Sequence, residues 1–464
     1  MQNITTVILA AGQGTRMKSN LAKVLHPLAG RPLIDYSLRC AAELSSEKPV
    51  VVVGNDADAV RQFVGERAVF AVQEPQLGTA HAVLAAEKLL AAKEPQAAKR
   101  QQVGKEGLVL TINADMPLLT PETLQQLVKV QSSNKGPITM LTVKGEDSHG
   151  FGRVIRAADG SVREIVEEAH ATPEQLAIQE YNVSAYCFSS TWLWPTLKQV
   201  KLSPKGEYYL TDLVGLAVSD GLAVQAVVLD DAEEAVGINT RVHLAEAEAI
   251  IRRRINERWM LAGVTLVDPE SVFIGADVQI GRDTTIWPNT YLRGKTTIGE
   301  GCVVGPNTMI EDTQIGSHCT LLMAVMEGAV LEDNVSMGPF AHLRKGAHLA
   351  NGVHMGNFGE VKNSYLGPET KMGHFSYIGD ATIGENVNIG AGTVTCNFDG
   401  KHKNHTDIGN DVFIGSDTML VAPLKIGESA RTGAGSVVTH DVPAGTVVVG
   451  VPARELRKVR EEEK

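Results

Sequence analysis

Cysteine is scarce and unpatterned in this chain. Its 464 residues include five, Cys40, Cys187, Cys302, Cys319 and Cys396, an odd number with no CxxC pair. That argues against a disulfide framework or a thiolate zinc site and fits a reducing compartment, so a cytoplasmic location is expected. Basic charge is not in excess either. There are 43 Lys and Arg against 54 Asp and Glu, a formal net charge of −11. A broad nucleic-acid-binding surface is thereby excluded, whereas a local cluster of donors around a small anion is not. No apolar run reaches the ~18 residues of a membrane span, so no membrane partner is expected. The apolar start, residues 1–12, has no basic leader or cleavage-like site and reads as a first strand rather than a signal peptide.

What is present is ordinary in composition, 43% apolar and 21% charged, and unusual in pattern. At roughly 100–200 residues per domain the length predicts two or three domains. Up to about residue 263, apolar runs at 6–10, 49–53, 68–72 and 108–112 alternate with amphipathic stretches at 33–44, 57–65 and 79–92. Strand and helix in alternation predict a mostly parallel α/β sheet with helices on both faces. From 243 to 262 the residues Leu244, Ala247, Ile251, Ile255, Trp259 and Ala262 recur three or four apart, predicting a long linker helix capped by Gly263. Arg252, Arg253, Arg254 and Arg258 lie mainly off that stripe and read as its solvated face.

Beyond Gly263 an internal repeat takes over. Aliphatic–Gly pairs recur from Ile274-Gly275 and Ile280-Gly281 through Ile298-Gly299, Met355-Gly356, Met372-Gly373 and Ile389-Gly390 to Ile426-Gly427, mostly at multiples of six residues. A period of six suits neither a helix nor an ordinary sandwich. It fits one short strand and one turn on each side of a triangular coil, with the aliphatic residue inward. A left-handed parallel β-helix of hexapeptide repeats is therefore expected. The implied organisation is an α/β domain over 1–241, a linker helix over 242–262 and the β-helix over 263–464. A polar interruption at 394–406 reads as a loop on the binding side, and the charged tail after Val451 as frayed.

The first chemical motif, Leu9-Ala10-Ala11-Gly12-Gln13-Gly14-Thr15-Arg16-Met17, follows the first predicted strand and is followed by Lys23. Small residues let the backbone approach phosphates, and Arg16 and Lys23 supply positive charge where a triphosphate would lie. It is neither a Walker A loop nor GxGxxG. It resembles the signature of the sugar-nucleotide pyrophosphorylases, a nucleotidyltransferase family, which implies a Rossmann-like α/β fold for the first domain. Further stretches match that family in order: Gln73-Glu74-Pro75-Gln76-Leu77-Gly78-Thr79, Asn113-Ala114-Asp115-Met116-Pro117, Gly150-Phe151-Gly152-Arg153, Glu167, Asn182 and Gly237-Ile238-Asn239. The resemblance implies that Gln73, Gly78 and Thr79 read uracil, that Gly152, Glu167 and Asn182 hold an N-acetyl sugar, and that Asp115 and Asn239 bind Mg²⁺. Arg16 and Lys23 are the candidates for stabilising charge as a sugar 1-phosphate displaces pyrophosphate from UTP.

In the repeat region the densest polar cluster comprises Arg344, Glu360, Lys362, His374, Tyr377, Asn388, Asn397 and Ser416, none of which a solenoid core requires. Together with Gly356-Asn357-Phe358-Gly359-Glu360, Lys371-Met372-Gly373-His374-Phe375 and Asn388-Ile389-Gly390-Ala391-Gly392, it resembles the bifunctional N-acetylglucosamine-1-phosphate uridylyltransferase/glucosamine-1-phosphate N-acetyltransferase family. The resemblance spans nearly the whole chain. It implies that Arg344, Lys362, Tyr377 and Asn388 bind glucosamine 1-phosphate, and that Ala391, Asn397, Phe398, Ser416 and Ala434 line an acetyl-CoA groove. An imidazole suits removal of the amine proton, so His374 is the candidate base, with Glu360 orienting it. His342, His348 and His354 have no matched role. Family members pack three β-helices side by side, so a homotrimer is expected. The small-molecule partners are then glucosamine 1-phosphate, N-acetylglucosamine 1-phosphate, UTP and acetyl-CoA. The chain departs from the family at Asn113, Ala169, Val183-Ser184 and Val451. The competing reading is a single-function sugar-1-phosphate nucleotidyltransferase whose β-helix serves regulation or assembly.

Overall fold

The computed structural model describes residues 4–54, 57–91, 107–146 and 150–459. The chain divides into two compact units, Met1–Ile251 and Arg252–Lys464. In the first, strands β1 (Ile4–Leu9), β2 (Val50–Val53), β3 (Val69–Val72), β4 (Leu108–Asn113), β5 (Ile138–Lys144), β6 (Glu180–Ser189) and β7 (Val224–Val228) form the path β7-β5-β6-β4-β1-β2-β3. All neighbours on this path are parallel except β6, which runs antiparallel to both β4 and β5. A hairpin, Arg153–Arg156 with Val162–Val166, joins the sheet at β6.

The alternation of side chains along these strands builds a core on each face. Ile8, Val51, Leu110 and Ile112 pack with Ile34 and Leu38 of the helix Leu33–Leu44 and with Leu124 and Leu127 of Pro121–Ser133. Val7, Val50, Val52 and Val109 pack on the other side with Val83 and Ala86 of Thr79–Ala91 and with Leu213 and Val214 of Asp212–Ser219. Burying each such aliphatic side chain contributes about 1.5–3 kcal/mol. Ala92, the expected end of the helix over 79–92, lies outside the described residues. The chain moves outward from β1 to β2 and β3, then returns to place β4 on the other side of β1. Such a reversal leaves a crevice at the carboxyl ends of the two strands, where open α/β sheets bind ligands.

The helix Arg241–Leu261 carries much of the expected stripe. Ala247 and Ile250 are buried with Met17, Leu28, Leu33, Val236 and Ile238 of the first unit. Gly263 caps the helix at φ +94°, with the Val264 N–H closing back on the Trp259 carbonyl at 3.0 Å. The Arg run is not purely solvated, since the Arg252 guanidinium lies 4.6 Å over the Phe273 ring.

The second unit is the left-handed parallel β-helix, with three flat faces made of stacked short strands twelve, ten and nine deep. Register links equivalent residues from coil to coil, as in His342, Glu360, Tyr377 and Val394 on one face. Two columns point inward. One is the aliphatic residue of each repeat, such as Ile298, Leu343, Met372 or Ile414; the other, two residues earlier, is small: Thr296, Ala341, Thr370, Val412. Buried hydroxyls in the second column bond to main-chain carbonyls, as Thr296 does to Arg293 at 2.6 Å and Thr370 to Gly384 at 3.0 Å, which removes the penalty of desolvating them. At Gly356, after Met355, the glycine is needed for stacking rather than for a left-handed φ. A Cβ on Gly356 would lie 1.9 Å from the Gly373 carbonyl oxygen of the next coil.

Two sequence expectations are corrected. The interruption is shorter than 394–406, because Val394–Cys396 and Thr406–Ile408 are strands in register with their neighbours. The tail is not frayed over its described part. Ala453–Lys458 pairs antiparallel with Thr446–Gly450, since an edge strand needs main-chain partners and tolerates polar side chains facing solvent. Residues 460–464 lie outside the described residues.

Two candidate active sites, one on each unit

In the first unit a cavity of about 700 Å³ opens at the carboxyl ends of β1 and β4. It is lined by Leu9, Ala10, Ala11, Gly12, Arg16, Lys23, Gln73, Gly78, Thr79, Asp115, Glu167 and Asn239, all anticipated from sequence. Gly14 takes φ +63°, and a Cβ there would lie 2.6 Å from the Lys23 Cβ, so glycine lets the loop fold over Lys23. The buried Met17 anchors this loop in the core with Leu28 and Leu33. Asp115 follows β4, and its carbonyl accepts from the Ile238 N–H at 2.8 Å, which brings Asn239 alongside. The Lys23 ammonium touches both the Asp115 carboxylate and, at 3.1 Å, the Asn239 amide oxygen. Arg16 reaches the same Asn239 oxygen at 3.0 Å. One carboxylate and one amide oxygen thus converge on the Lys23 ammonium.

The loop from Gln73 to Thr79 is clamped from outside. Gln73 is buried, donating its amide to the Gly78 carbonyl at 2.8 Å, and Gly78 at φ +96° packs against the Tyr208 main chain. Glu167 accepts from the Thr211 hydroxyl at 2.9 Å. Gly152 and Asn182 do not line the cavity. Asn182 is 2% exposed and exchanges hydrogen bonds with Ser184 in a bulge of β6. Sequence reasoning missed Ser184, Tyr186, Glu207, Tyr209 and Thr211, which also line this space. The polar–aromatic run Glu207-Tyr208-Tyr209-Leu210-Thr211 was the available signal. Of the family departures, Asn113 lines the cavity, Val183 is buried, and Glu168, beside Ala169, pairs with Arg153 at 2.6 Å.

On the β-helix the anticipated residues fall at two edges of one face. At one edge, His374 stands in a column of turns with Ala391, Ser416 and Ala434. Successive coils there are linked by Gly392 N–H to Phe375, Asp417 N–H to Ala391 and Gly435 N–H to Ser416. Asn388 precedes the same edge on the adjoining face. At the other edge Arg344, Lys362 and Lys403 gather. Lys362 is held below the ordinary lysine range by Lys403 and then by Arg344. Asp380 accepts from Asn363 and Asn397 and lies 4.0 Å from Lys403. Burial opposes its ionisation, but those hydrogen bonds and the nearby lysines hold its carboxyl below the usual range. Tyr377 leans toward this edge over Gly379, where a Cβ would meet its hydroxyl oxygen. Phe398 pairs with Lys403 across the inserted loop. The strand Ser376–Gly379 separates the two edges by roughly 13 Å at ~3.3 Å per residue.

Glu360 does not orient His374 within this chain. It accepts from Arg344 at 3.0 Å, while the His374 Nδ1 faces the Asn357 amide oxygen at 3.4 Å. Glu360 sits in the middle of the flat face and the imidazole sits on its rim. Val451 and Arg454 are exposed on the last hairpin.

Known proteins match both units. A MobA-like NTP transferase domain model covers residues 6–207, a bacterial transferase hexapeptide model covers 277–312, and a hexapeptide repeat of succinyl-transferase covers 406–440. The bifunctional protein GlmU of Trichlorobacter lovleyi is 45% identical over 96% of this chain and 95% of its own length. GlmU proteins of Heliobacterium modesticaldum and Halalkalibacterium halodurans are 44% and 42% identical, each over 99% of this chain and 98% of their own. The chain belongs to the bifunctional GlmU family. As a GlmU-family member it is both a nucleotidyltransferase and an acetyltransferase of UDP-N-acetylglucosamine biosynthesis, acting on nucleotide and acetyl-CoA substrates. The single-function alternative is set aside. Among the described residues no helix is long and apolar enough to cross a membrane.

Proposed function

We propose that the cavity of the first unit is the uridylyl-transfer site and that the β-helix carries the acetyl-transfer site in two halves, completed between copies of the chain. Glucosamine 1-phosphate is acetylated first, and its product is then joined to UMP from UTP, in the cytoplasm. In the first unit a phosphate oxygen of N-acetylglucosamine 1-phosphate attacks the α-phosphorus of UTP, and the bond to pyrophosphate breaks. Arg16 and Lys23 are placed to neutralise charge on the attacked and leaving phosphates. Gln73, Gly78 and Thr79 take the base, while Glu167 lies on the sugar side of the cavity. Mg²⁺ fits the Asp115 and Asn239 oxygens, which are hard donors suited to it. When bound it supplies charge neutralisation between two anionic reactants.

On the β-helix, Arg344, Lys362 and Lys403 form a cationic clamp suited to a phosphate, with Tyr377 and Asn388 toward the sugar. His374 accepts the amine proton as nitrogen attacks the acetyl carbonyl and the thiolate of CoA departs. Ala391, Asn397, Phe398, Ser416 and Ala434 form the thioester groove. The observation that carries this reading is the separation of the two edges. The amine and phosphate of glucosamine 1-phosphate lie on adjacent ring carbons, so one molecule does not bridge His374 and Lys362 of one chain. Edges of two neighbouring β-helices do meet at a seam, and three flat faces suit a homotrimer. Exposed Phe340 and Phe358, stacked at 5.3 Å beside the His374 edge, with Phe375 also exposed, supply apolar surface for such a seam.

Co-expression tests it. His374→Ala and Lys362→Ala chains are each expected to lack acetyl transfer, and mixed oligomers to regain part of it, because some seams pair two intact edges. Inactive mixed oligomers, shown to contain both chains, would count against a site shared between copies.

A second expectation concerns pH. Lys362 loses its proton at lower pH than an isolated lysine because Lys403 and Arg344 repel it. The KM for glucosamine 1-phosphate should therefore rise on the alkaline side. Lys403→Ala should raise KM at neutral pH and move that alkaline rise to higher pH. A limb left in place by the substitution would separate Lys403 from the clamp.

A further inference from the structure

One wall of the first unit's cavity is aimed by a side chain that does not itself reach the cavity. Gln73 follows β3, is 4% exposed and lines the open space. Its main-chain N–H donates to the Val53 carbonyl at 2.9 Å, which fixes where the side chain starts. The side-chain nitrogen then meets two groups at once, the Gly78 carbonyl oxygen at 2.8 Å and Nδ1 of His81 at 3.3 Å. A carbonyl oxygen only accepts, so the end of the amide facing Gly78 is the NH2 group. Its second hydrogen is directed at His81, so Nδ1 accepts and the imidazole carries its proton on Nε2. Both amide hydrogens are thereby used inside the protein. The amide oxygen has no protein partner among the described residues and is not a buried orphan, so it is what Gln73 shows to the cavity.

His81 is itself held in place. It is the third residue of the helix Thr79–Ala91, and the segment 208–210 ties down the start of that helix. The Ala80 N–H donates to the Tyr208 carbonyl at 3.0 Å, and the Leu210 N–H to the Thr79 hydroxyl at 2.9 Å. The imidazole lies 6.4 Å from the Tyr208 ring, tilted by 36°. His81 is half-buried and stands behind Gln73, while its neighbours Thr79 and Ala82 line the cavity. The Gly78 bond decides which end of the amide faces inward. The His81 bond adds a second fixed point, so the amide plane does not swing and the oxygen keeps one direction.

We propose that His81 is a positioning residue for base selection. Acting through Gln73, it aims a pure acceptor at N3 of a pyrimidine. Uracil carries a hydrogen on N3 and donates it; cytosine carries a lone pair there and is repelled. His81 touches no substrate. This rests on the reading of the first unit as the uridylyl-transfer site, with Gln73 at the base.

The experiment is steady-state pyrophosphate release with N-acetylglucosamine 1-phosphate and either UTP or CTP. It compares the full chain with His81→Asn, His81→Phe, His81→Leu, Gln73→Ala and the double variant Gln73→Ala/His81→Phe. An asparagine amide oxygen can stand where Nδ1 stands; phenylalanine keeps the ring and leucine the bulk, and neither accepts. His81→Phe and His81→Leu should lower the UTP-over-CTP ratio of kcat/KM about three- to tenfold, the scale of one hydrogen bond. KM for N-acetylglucosamine 1-phosphate should stay unchanged, and His81→Asn should keep the ratio. With Gln73→Ala in place, His81→Phe should lower the ratio no further, because no amide remains to be aimed. A merely structural role would slow both nucleotides equally and leave the ratio alone. A ratio unchanged in the His81 variants that fold, while Gln73→Ala lowers it, overturns the proposal, and so does an equal fall in His81→Asn and His81→Phe. A ratio that Gln73→Ala itself leaves intact, or an unmodified chain that releases no pyrophosphate, overturns instead the reading on which it rests.

Discussion

His374→Ala is expected to lower CoA-thiol release from acetyl-CoA and glucosamine 1-phosphate by at least about 10²-fold, the low end of what a positioned general base contributes. Pyrophosphate release from UTP and N-acetylglucosamine 1-phosphate should be unaltered. His374 is exposed on the rim of the β-helix, outside both inward columns, so its removal leaves no cavity in the coil. The stacked aliphatic residues around it, Met355, Met372 and Ile389, are each 3% exposed or less and hold the coil without it. Asn357 faces the imidazole at 3.4 Å but is an amide and does not take up a proton in its place. Thiol release is read with a disulfide reagent. A variant that keeps wild-type thiol release would remove His374 from the reaction.

Asp115→Ala should produce the converse. Pyrophosphate release should fall by about 10²-fold or more, the scale seen when one charge-stabilising group is removed from an acyl- or phosphoryl-transfer site, and thiol release should persist. Asp115 does two things at once. Its carboxylate holds the Lys23 ammonium and completes, with Asn239, the cation position; its carbonyl holds Ile238 and so aligns Asn239. The substitution removes the first function and keeps the second, because the main chain is retained. Asp115→Asn preserves the shape and one oxygen, and should fall between the two. Equal loss in both activities, in a folded Asp115→Ala protein, would indicate that the two sites are not separate.

Much of this was legible before any coordinates. The aliphatic–Gly period announced the β-helix because only a coil with three short sides repeats at six residues, and the loop from Leu9 to Met17 announced the wall of the first unit's cavity because of where its small residues and Arg16 fall. Other features depend on register, which a linear pattern does not carry. His374 and Glu360 are fourteen positions apart in sequence, and only the coil reveals that one is on a rim and the other on a face. Lys403 sits in the polar interruption that was read as a binding-side loop, but its approach to Lys362 needs the bridge from Phe398. Ser184 was noted only as a departure from the family, because its left-handed conformation and its pairing with Asn182 arise from a bulge in β6. The paired strand Ala453–Lys458 escaped notice because polarity misled where main-chain pairing decides.

The account stands most directly on one measurement: the yield of UDP-N-acetylglucosamine from glucosamine 1-phosphate, acetyl-CoA, UTP and Mg²⁺ when purified His374→Ala and Asp115→Ala proteins are mixed. Each alone should make essentially none, and the mixture should recover the product as acetylated intermediate passes through solution from one protein to the other. A mixture that stays inactive, although each protein retains its own half-reaction, would contradict the division of the chemistry between two independent pockets.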